Sequence, residues 1–424
     1  MAEMKDSGIE WIGKIPEEWS NIKLKSFYDF EKGKNAQLYT AEYIGKHEGQ
    51  YPVFSGQTEN NGVMGFIDTY DYELNECLFT TTVGAKVMTP KLLKGKFSLS
   101  QNCLIMKPKK ECNNHFFFYC LISLFDYEKG AIPSYMQPSL RIDDLKKYGF
   151  YIPDLENQNR IADFLDKKCA EIDTLYSDIE KQIHILEEYK KSIITEAVTK
   201  GLDPDVEMKD SGISYIENIP KHWKVTNLKY LGKCQNGISK GGEYFGIGFP
   251  FVSYGDVYKN YSIPQNVDGL IMSTKTEQNI YSVKYGDVFF TRTSETIEEI
   301  GFASTCLKSI DNSVFAGFLI RFRPTSNDLI PEFSKFYFRS NIHRKFFVKE
   351  MNLVTRASLS QNLLGRLPVL LPPLCEQQMI AKNLEKKCAE IDGAIEEKKE
   401  QLETLEQYKK SLIYEYVTGK KEVK

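Results

Sequence analysis

The stretch KKCAEID at Lys167–Asp173 occurs again, letter for letter, at Lys386–Asp392. Each copy opens a long segment with helical periodicity, and the two segments finish on nearly the same letters, EYKKSIITEAVT and QYKKSLIYEYVT. A second repeat precedes each unit: MKDSGIEWIGKIPEEW begins at Met4, and MKDSGISYIENIPKHW begins at Met208. Self-similarity at a fixed offset marks a repeated structural unit. The sequence therefore predicts one unit used twice.

Apolar residues recur every seven positions along both segments, which is typical of coiled-coil helices. About 43 residues per segment, at ~1.5 Å of rise each, predict rods of roughly 65 Å. Because each rod has one apolar stripe and leaves an equivalent unit, we expect the two rods to pack antiparallel against each other. The stripe residues expected to make this contact are Leu165, Ile172, Ile179, Leu186 and Ile193 in the first segment, and Leu384, Ile391, Leu402, Leu405 and Leu412 in the second.

Short apolar runs separated by Gly, Asn, Pro and Thr precede each rod and predict strands joined by loops. An aromatic-rich helix is expected at Asn114–Lys129 and again at Phe333–Lys349. The repeat offset grows from 204 at the Met4 repeat to 219 at KKCAEID, so the additional residues of the second unit fall in its strand-and-loop region. That region is the variable part of each unit, and the rod is the constant part.

These patterns predict an α+β protein with two mixed α/β domains related by pseudo-twofold symmetry and separated by two long antiparallel coiled-coil helices. We expect a first domain at 1–155, a first spacer helix at 156–201, a second domain at 202–375, and a second spacer helix with a tail at 376–424.

Composition permits folded cores, since 42% of the 424 residues are hydrophobic and 13% are aromatic. With neither a long apolar run nor an N-terminal signal core, we expect a cytoplasmic protein. The nine cysteines show no zinc spacing and are expected to be reduced thiols. The net charge is −3, but each long segment has ten acidic and seven basic residues, so the remainder is weakly basic. This bias neither requires nor excludes nucleic acid.

The sequence shows no convincing catalytic motif. Tyr244–Gly248 imitates the glycine turn of a methyltransferase, but no N/D-P-P-Y/F tetrapeptide follows it. Asp205, Glu207 and Lys209 have the residue types of a nuclease site, yet they are crowded into a short linker. Five scattered histidines suggest no metal site. We therefore expect neither catalytic residues nor a metal in this chain.

Several matched motifs together carry a family resemblance. I-P-x-x-W occurs at Ile15–Trp19 and Ile219–Trp223, and P-P-L-x-E-Q-x-x-I-A occurs at Pro372–Ala381. The earlier copy of the second motif, Pro153–Ala162, is degenerate, with Asn157 in place of Glu. With GDVFFTRTS from Gly286, this combination resembles the specificity subunit of type I restriction–modification systems over nearly the whole chain.

The resemblance implies a non-catalytic DNA-recognition subunit that acts in host defence through DNA methylation. Each target-recognition domain would recognise one half of a split double-stranded target, and the helices would set the spacer and dock two methyltransferase subunits. Two restriction subunits would join through them. S-adenosylmethionine, ATP and Mg are expected on those partners, with no cofactor in this chain. The rival hypotheses are a self-contained methyltransferase or nuclease, and a purely structural coiled-coil protein.

Base recognition needs polar side chains on loops that enter a groove, whereas phosphate contacts only position the protein. Each candidate could equally be a solvated loop residue. For Arg321 and Arg323, which alternate with apolar residues on a strand, surface salt bridging and phosphate binding both remain open. The DNA-binding candidates are Gln57, Asn60, Asn61, Thr81, Thr82, Lys86 and Gln137 in the first domain, and Gln235, Asn236, Ser239, Lys240, Arg292, Thr293, Ser294 and Arg356 in the second.

Overall fold

The computed structural model describes residues 3–57, 59–84, 86–133, 135–294, 300–350 and 357–423. The chain divides into two compact units, which we call unit 1 (Met1–Glu180 with Lys399–Lys424) and unit 2 (Lys181–Lys398). Each unit combines sheets with helices, so the predicted α+β class with two repeated units is confirmed. The division falls inside both long helices, and the predicted boundaries at 155, 201 and 375 stay a prediction.

The elements that begin in the first part of the chain are β1 (Met4–Asp6), β2 (Lys14–Pro16), β3 (Ser20–Lys23), β4 (Tyr28–Lys32), α1 (Ala41–Lys46), β5 (Glu48–Phe54), β6 (Val63–Ile67), β7 (Tyr72–Thr81), β8 (Lys91–Leu99), β9 (Cys103–Pro108), α2 (Asn114–Ala131), α3 (Ile142–Lys147), β10 (Gly149–Ile152) and the long α4 (Leu155–Lys200).

Those that follow are β11 (Met208–Ile213), β12 (Ile216–Pro220), β13 (Lys224–Asn227), β14 (Gly232–Asn236), β15 (Phe245–Val252), α5 (Tyr254–Lys259), β16 (Leu270–Ile271), α6 (Lys275–Ile280), β17 (Val288–Thr291), β18 (Thr293–Ser294), β19 (Ala303–Thr305), β20 (Val314–Phe315), β21 (Leu319–Pro324), α7 (Pro331–Tyr337), α8 (Ile342–Glu350), β22 (Ala357–Ser358), α9 (Gln361–Gly365), β23 (Pro368–Leu371) and the long α10 (Leu374–Val417).

The two copies of KKCAEID mark places where the long helices pair. In unit 1, Asp173 closes the first copy and forms an ion pair with Lys409 of α10, with 2.6 Å between Oδ1 and Nζ. In unit 2, Asp392 closes the second copy and pairs with Lys190 of α4 at 2.6 Å. Exposed ion pairs of this kind contribute only about 0–1 kcal/mol each. They nevertheless fix the alignment, and the same repeated residues meet in both units.

The direction of pairing follows from contacts within unit 1. The rings of Phe164 and Tyr416 lie 4.5 Å apart, while Arg160, one turn earlier on α4, donates to the carbonyl of Val423, which lies beyond α10, at 2.9 Å. As the residue numbers on α4 decrease, the numbers of the residues that they contact at the end of α10 increase. The predicted antiparallel pairing is therefore confirmed there.

The predicted apolar stripe lies in the helix contacts, but its burial is uneven. Leu175 and Tyr189, which occupy intervening apolar positions, are 54% and 52% exposed. The stripe is therefore narrower than in an uninterrupted coiled coil. Of the ten predicted contact residues, the buried ones are Leu165, Ile172, Leu384, Ile391 and Leu412, and the half-buried ones are Ile179, Leu186, Ile193, Leu402 and Leu405.

Each unit opens with a short antiparallel hairpin that receives the end of a long helix. In unit 1, Gly419 follows α10 at φ +69° and lies so close to Pro16 of the β1–β2 hairpin that a Cβ would not fit. In unit 2, Gly201 follows α4 at φ +78° and lies against Trp223 after the β11–β12 hairpin. Glycine suits the left-handed position after a helix because it has no Cβ.

A buried glutamine ties the start of each long helix to the preceding aromatic helix. In α10, Gln377 is fully buried; its Nε2 donates to the carbonyls of Asp328 and Pro372, and its Oε1 accepts from the N-cap amide of α7 at Ile330. In α4, Gln158 donates to Pro153 O at 3.0 Å and accepts from the N-cap amide of α2. The glutamine of the P-P-L-x-E-Q motif thus serves as a polar anchor.

The central sheets differ between the units. Unit 1 has a six-stranded sheet in the order β4-β9-β7-β8-β5-β6, whereas unit 2 has a four-stranded sheet β14-β21-β17-β19 and a three-stranded sheet β16-β15-β20. Matching strand registers show that the long β8 corresponds to two short strands, β19 and β20. The offset between equivalent residues therefore varies across the sheet: 204 at β4 and β14, 198 at β5 and β15, 210 at β7 and β17, and 216 at β9 and β21.

The second aromatic helix differs from the prediction. Unit 1 has the expected continuous α2, but the predicted helix at Phe333–Lys349 is interrupted between α7 and α8. At the interruption the Ser340 hydroxyl donates to Tyr337 O at 2.7 Å, and the Arg344 amide bonds to Asn341 O. The serine hydroxyl thereby competes for a backbone carbonyl, which disfavours a helix interior.

Candidate nucleic-acid interface

Several loops of unit 1 gather at one end of its six-stranded sheet. The sheet curls so that the end of β4 approaches β7 and β8. The Tyr72 hydroxyl at the start of β7 donates to Lys32 O at 2.7 Å, and Gly33 lies against Leu99 O at the end of β8 with no room for a Cβ. The loop after β5 starts beside the same place, because the Ser100 amide donates to the carbonyl of the last β5 residue at 2.9 Å. Loops far apart in sequence therefore share one surface.

A cleft of about 610 Å³ opens at this surface, lined by residues 32–38, Thr82 and residues 100–103. None of these lining residues is acidic. Asn35 is held in place by Asp71, which accepts from its Nδ2 at 2.6 Å. Amides and lysines are groups that bond to base edges and phosphates. The exposed polar side chains along the cleft are Lys32, Lys34, Asn35, Gln37, Gln101 and Asn102.

The predicted residues on the loop after β5 are only partly available. Gln57 donates from Nε2 to Val63 O at 2.6 Å, so its amide closes the loop. Asn60 and Asn61 are exposed, with left-handed φ of 47° and 53°. The carbonyl of Asn61 accepts from Lys91 Nζ. The two asparagine side chains remain candidates, whereas Gln57 has a structural partner.

Among the remaining unit 1 candidates, Thr82 is the residue that lines the cleft. Thr81 is 2% exposed, and its hydroxyl donates to Lys86 O at 2.6 Å, so its side chain stabilises the loop from inside. The side chains of Lys86 and Gln137 are exposed, and neither lines the cleft.

Unit 2 repeats the backbone frame of this surface. The Arg292 amide donates to Phe318 O at 2.9 Å, as the Thr82 amide donates to Asn102 O at 2.8 Å. The registers of β17 with β21 and of β7 with β9 place these residues at equivalent positions. Arg292 and Thr82 therefore occupy one position of the fold, and Phe318 and Asn102 another.

Two unit 2 candidates are engaged within the protein. Gln235 accepts a hydrogen bond from Arg321. Lys240 pairs with Glu277 at 2.8 Å and donates to Met272 O, and this lysine lowers the pKa of the Glu277 carboxyl to about 2. Both side chains thus hold the domain together.

The other unit 2 candidates are less constrained. Ser239 is exposed, Asn236 and Arg292 are half-buried, and Thr293 pairs with Ser358 through β18 and β22. The backbone of Ser294 belongs to β18, but its side chain lies outside the described part of the chain, and so does Arg356 entirely.

Arg321 and Arg323 are not free surface groups. Arg321 is 5% exposed, donates to Ile280 O and Ser282 O, and has its pKa lowered to about 10 by burial. Arg323 forms a bidentate pair with Asp287, with both N–O distances at 2.6 Å, and Asp287 is 1% exposed. Buried charges persist in this way only when paired and hydrogen-bonded. Of the roles left open for Arg321 and Arg323, the structure therefore favours bonding within the protein over phosphate binding.

Sequence reasoning missed most of the unit 1 cleft. KGKNAQ begins at the last residue of β4, and SQN directly precedes β9. A run of Lys, Asn and Gln next to an apolar strand was the available signal. Their proximity was not visible, since it depends on how far the sheet curls.

Within the described ranges, no group of three or more His, Cys, Asp or Glu side chains is arranged to hold a metal. No helix of that same part is long and apolar enough to span a bilayer.

Two repeated α+β units and long helices that pair with each other define a class of two-unit proteins built on paired helices. Residues 16–184 and 220–404 match the family model described as the type I restriction modification DNA specificity domain. The chain belongs to this family, whose members are the DNA sequence-recognition subunits of restriction–modification complexes. The predicted family is confirmed, and neither rival hypothesis is favoured.

Individual relatives match all or part of the chain. The putative type I restriction enzyme MjaX specificity subunit of Methanocaldococcus jannaschii is 26% identical over 97% of this chain and 96% of its own. The type I restriction enzyme EcoKI specificity subunit of Escherichia coli is 27% identical over 57% of this chain and 51% of its own. A chain solved in work on assembly and conformational transition of the type I system matches 95% of this chain and 98% of its own, with a TM-score of 0.69 at 13% identity. At that identity the last match establishes the fold alone.

Proposed function

We propose that each unit of this chain recognises one half of a split DNA target, while the long helices fix the separation of the halves. The observation that carries this proposal is the equivalent backbone frame in both units, which presents different side chains at matching positions, Thr82 and Asn102 against Arg292 and Phe318. Two units with different side chains on one chain can bind the two different halves of an asymmetric target.

The chain also serves as the scaffold of a cytoplasmic complex. Two methyltransferase subunits dock on it, and two restriction subunits join through them. S-adenosylmethionine, ATP and Mg belong to those subunits, and this chain itself performs no catalytic step. In support, the helices carry exposed apolar side chains, such as Leu175 and Tyr189, on an otherwise polar surface.

The test is co-expression with the cognate methyltransferase subunit in a host that lacks DNA methylation, followed by genome-wide mapping of methylated adenines. We expect a split motif with a fixed gap. Replacing residues 4–155 with those of another family member should change one half of the motif, and replacing 201–375 should change the other half. A contiguous motif would contradict the proposal, as would methylation that survives both replacements unchanged.

A further inference from the structure

The turn between β8 and β9 occupies the same place in unit 1 as the turn between β20 and β21 does in unit 2. In unit 1, Thr82 donates to Asn102 O and accepts from the Leu140 amide at 2.8 Å. In unit 2, Arg292 donates to Phe318 O and accepts from the Leu359 amide at 2.7 Å. In both units, these backbone hydrogen bonds fix the position of the exposed turn relative to the neighbouring residue, Thr82 or Arg292.

A glycine in each unit keeps this turn close to the strand that carries the cleft wall. Gly33 lies against Leu99 O, and Gly237 lies against the carbonyls of Phe315 and Ala316, with no room for a Cβ at either glycine. The position of the turn is therefore set by backbone packing.

The side chains on this frame differ in chemistry. In unit 1 the turn presents the exposed amides Gln101 and Asn102. In unit 2 it presents Gly317 and Phe318, which is 66% exposed, beside the Arg292 guanidinium, whose Nη1 donates to Gly317 O at 3.5 Å. Asparagine and glutamine bond bidentately to adenine, arginine bonds bidentately to guanine, and an apolar ring can contact the thymine methyl group.

Unit 1 also supplies positive charge next to its turn. Lys32 and Lys34 line the same cleft and are exposed, and no lining residue is acidic. Lys34 donates to Asp71 O at 3.1 Å and lies 4.6 Å from the centre of the Tyr72 ring, and these contacts orient its side chain. Lysine in such a place contacts phosphate and sets the register of the duplex.

Resting on the proposed function, we infer that the framed turn is the base-recognition element of each unit. Asn102 with Gln101 recognises adenine-containing steps of one half-target, and Arg292 with Phe318 recognises guanine and an adjacent thymine of the other. Lys32 and Lys34 hold phosphates beside the first turn. Gln57 does not recognise a base, because its amide nitrogen donates to Val63 O and closes its own loop.

The experiment maps the methylated motif of the intact complex for the variants Asn102→Asp, Gln101→Ala and Arg292→Lys. Aspartate tolerates the φ of 63° at position 102 but lacks the amide donor, so the local backbone is preserved. We expect Asn102→Asp and Gln101→Ala to weaken base preference about tenfold to a hundredfold, both in the same half of the motif. Arg292→Lys should weaken a guanine preference in the other half.

Matched controls are Asn75→Asp, an exposed asparagine on β7 that does not line the cleft, and Arg366→Lys, an exposed arginine at the end of α9. Neither should alter the motif. An unchanged motif in the turn variants would overturn the inference, and so would a change in both halves from one substitution. If the wild-type complex gives no split motif, the proposed function itself fails, which is a separate result.

Discussion

His343 shows how strongly one site can depend on its surroundings. Its side chain is 2% exposed, its Nε2 donates to Tyr337 O at 3.0 Å, and the Tyr337 ring lies 4.8 Å away. Burial, with a smaller effect from the Arg344 charge, lowers the pKa of this imidazole from 6.5 to about 3. The histidine is thus neutral in the folded protein at neutral pH. Leu124 occupies the repeat position in unit 1 and is also buried.

The pH dependence of stability follows from this shift. Between about pH 6.5 and 3 the unfolded chain binds a proton at His343 and the folded chain does not, so stability is lost as pH falls through this window. We expect the site to remove about 2 to 3 kcal/mol from the free energy of unfolding between pH 7 and 4.5. His343→Leu, which introduces the residue found at the equivalent position of unit 1, should reduce this loss in urea unfolding measured at several pH values.

The same substitution at His184, which is exposed on α4, provides the control. It should leave the pH slope as in the wild type. Equal slopes in wild type and His343→Leu would contradict the assignment.

At the scale of elements, the start of each long helix depends on a buried amide. Gln377 satisfies the N-cap amide of α7 and two carbonyls, so a leucine there would leave buried backbone groups unpaired. Each such group costs about 1–3 kcal/mol. We expect Gln377→Leu to lower the free energy of unfolding by about 2–4 kcal/mol and to speed amide exchange at the start of α7.

The adjacent Gln378 is exposed, which makes Gln378→Leu a matched control in the same helix turn. Its effect on unfolding should stay within about 0.5 kcal/mol, as for most surface substitutions. Similar losses in both variants would show that helix composition, rather than the buried anchor, determines the result.

The elements also show what the sequence could and could not predict. The repeat of KKCAEID predicted the helix pairing, because Asp173 and Asp392 recur with the lysines that they contact. The second aromatic helix was predicted too long, since the Ser340 hydroxyl bonds to a local backbone carbonyl, an effect that a hydrophobic pattern does not register. Thr82 was found from its loop, but its neighbour Asn102 was not, because the two residues are 20 positions apart along the chain, with β8 between them.

At the scale of the whole molecule, both ends of the chain belong to unit 1, where α10 and the first hairpin meet. Eight residues, 420–424 and 1–3, would connect Gly419 to Met4 if the ends were joined, whereas six connect Gly201 to Met208 in unit 2. Loop closure depends only weakly on a difference of this size. The two junctions are therefore equivalent in length and in the contacts that flank them.

A circular permutant that starts at Pro204 and ends at Asp203, with Lys424 joined directly to Met1, should fold with a melting temperature within a few degrees of the wild type. A permutant opened between Leu121 and Ile122, inside α2 and next to a buried leucine, should be strongly destabilised. The comparison is made by calorimetry on the purified complexes. Equal stability of the two permutants would refute the equivalence of the junctions.

The varying repeat offset has an evolutionary consequence. The net extra length of unit 2 was accommodated between the start of its sheet and its aromatic helix, while the buried glutamines and the Asp–Lys pairs kept their relative positions. Insertions in that region leave the shared contacts intact, so the fold tolerates them. A lineage carrying this chain can explore new target sequences by ordinary mutation of its turns, with the scaffold inherited unchanged.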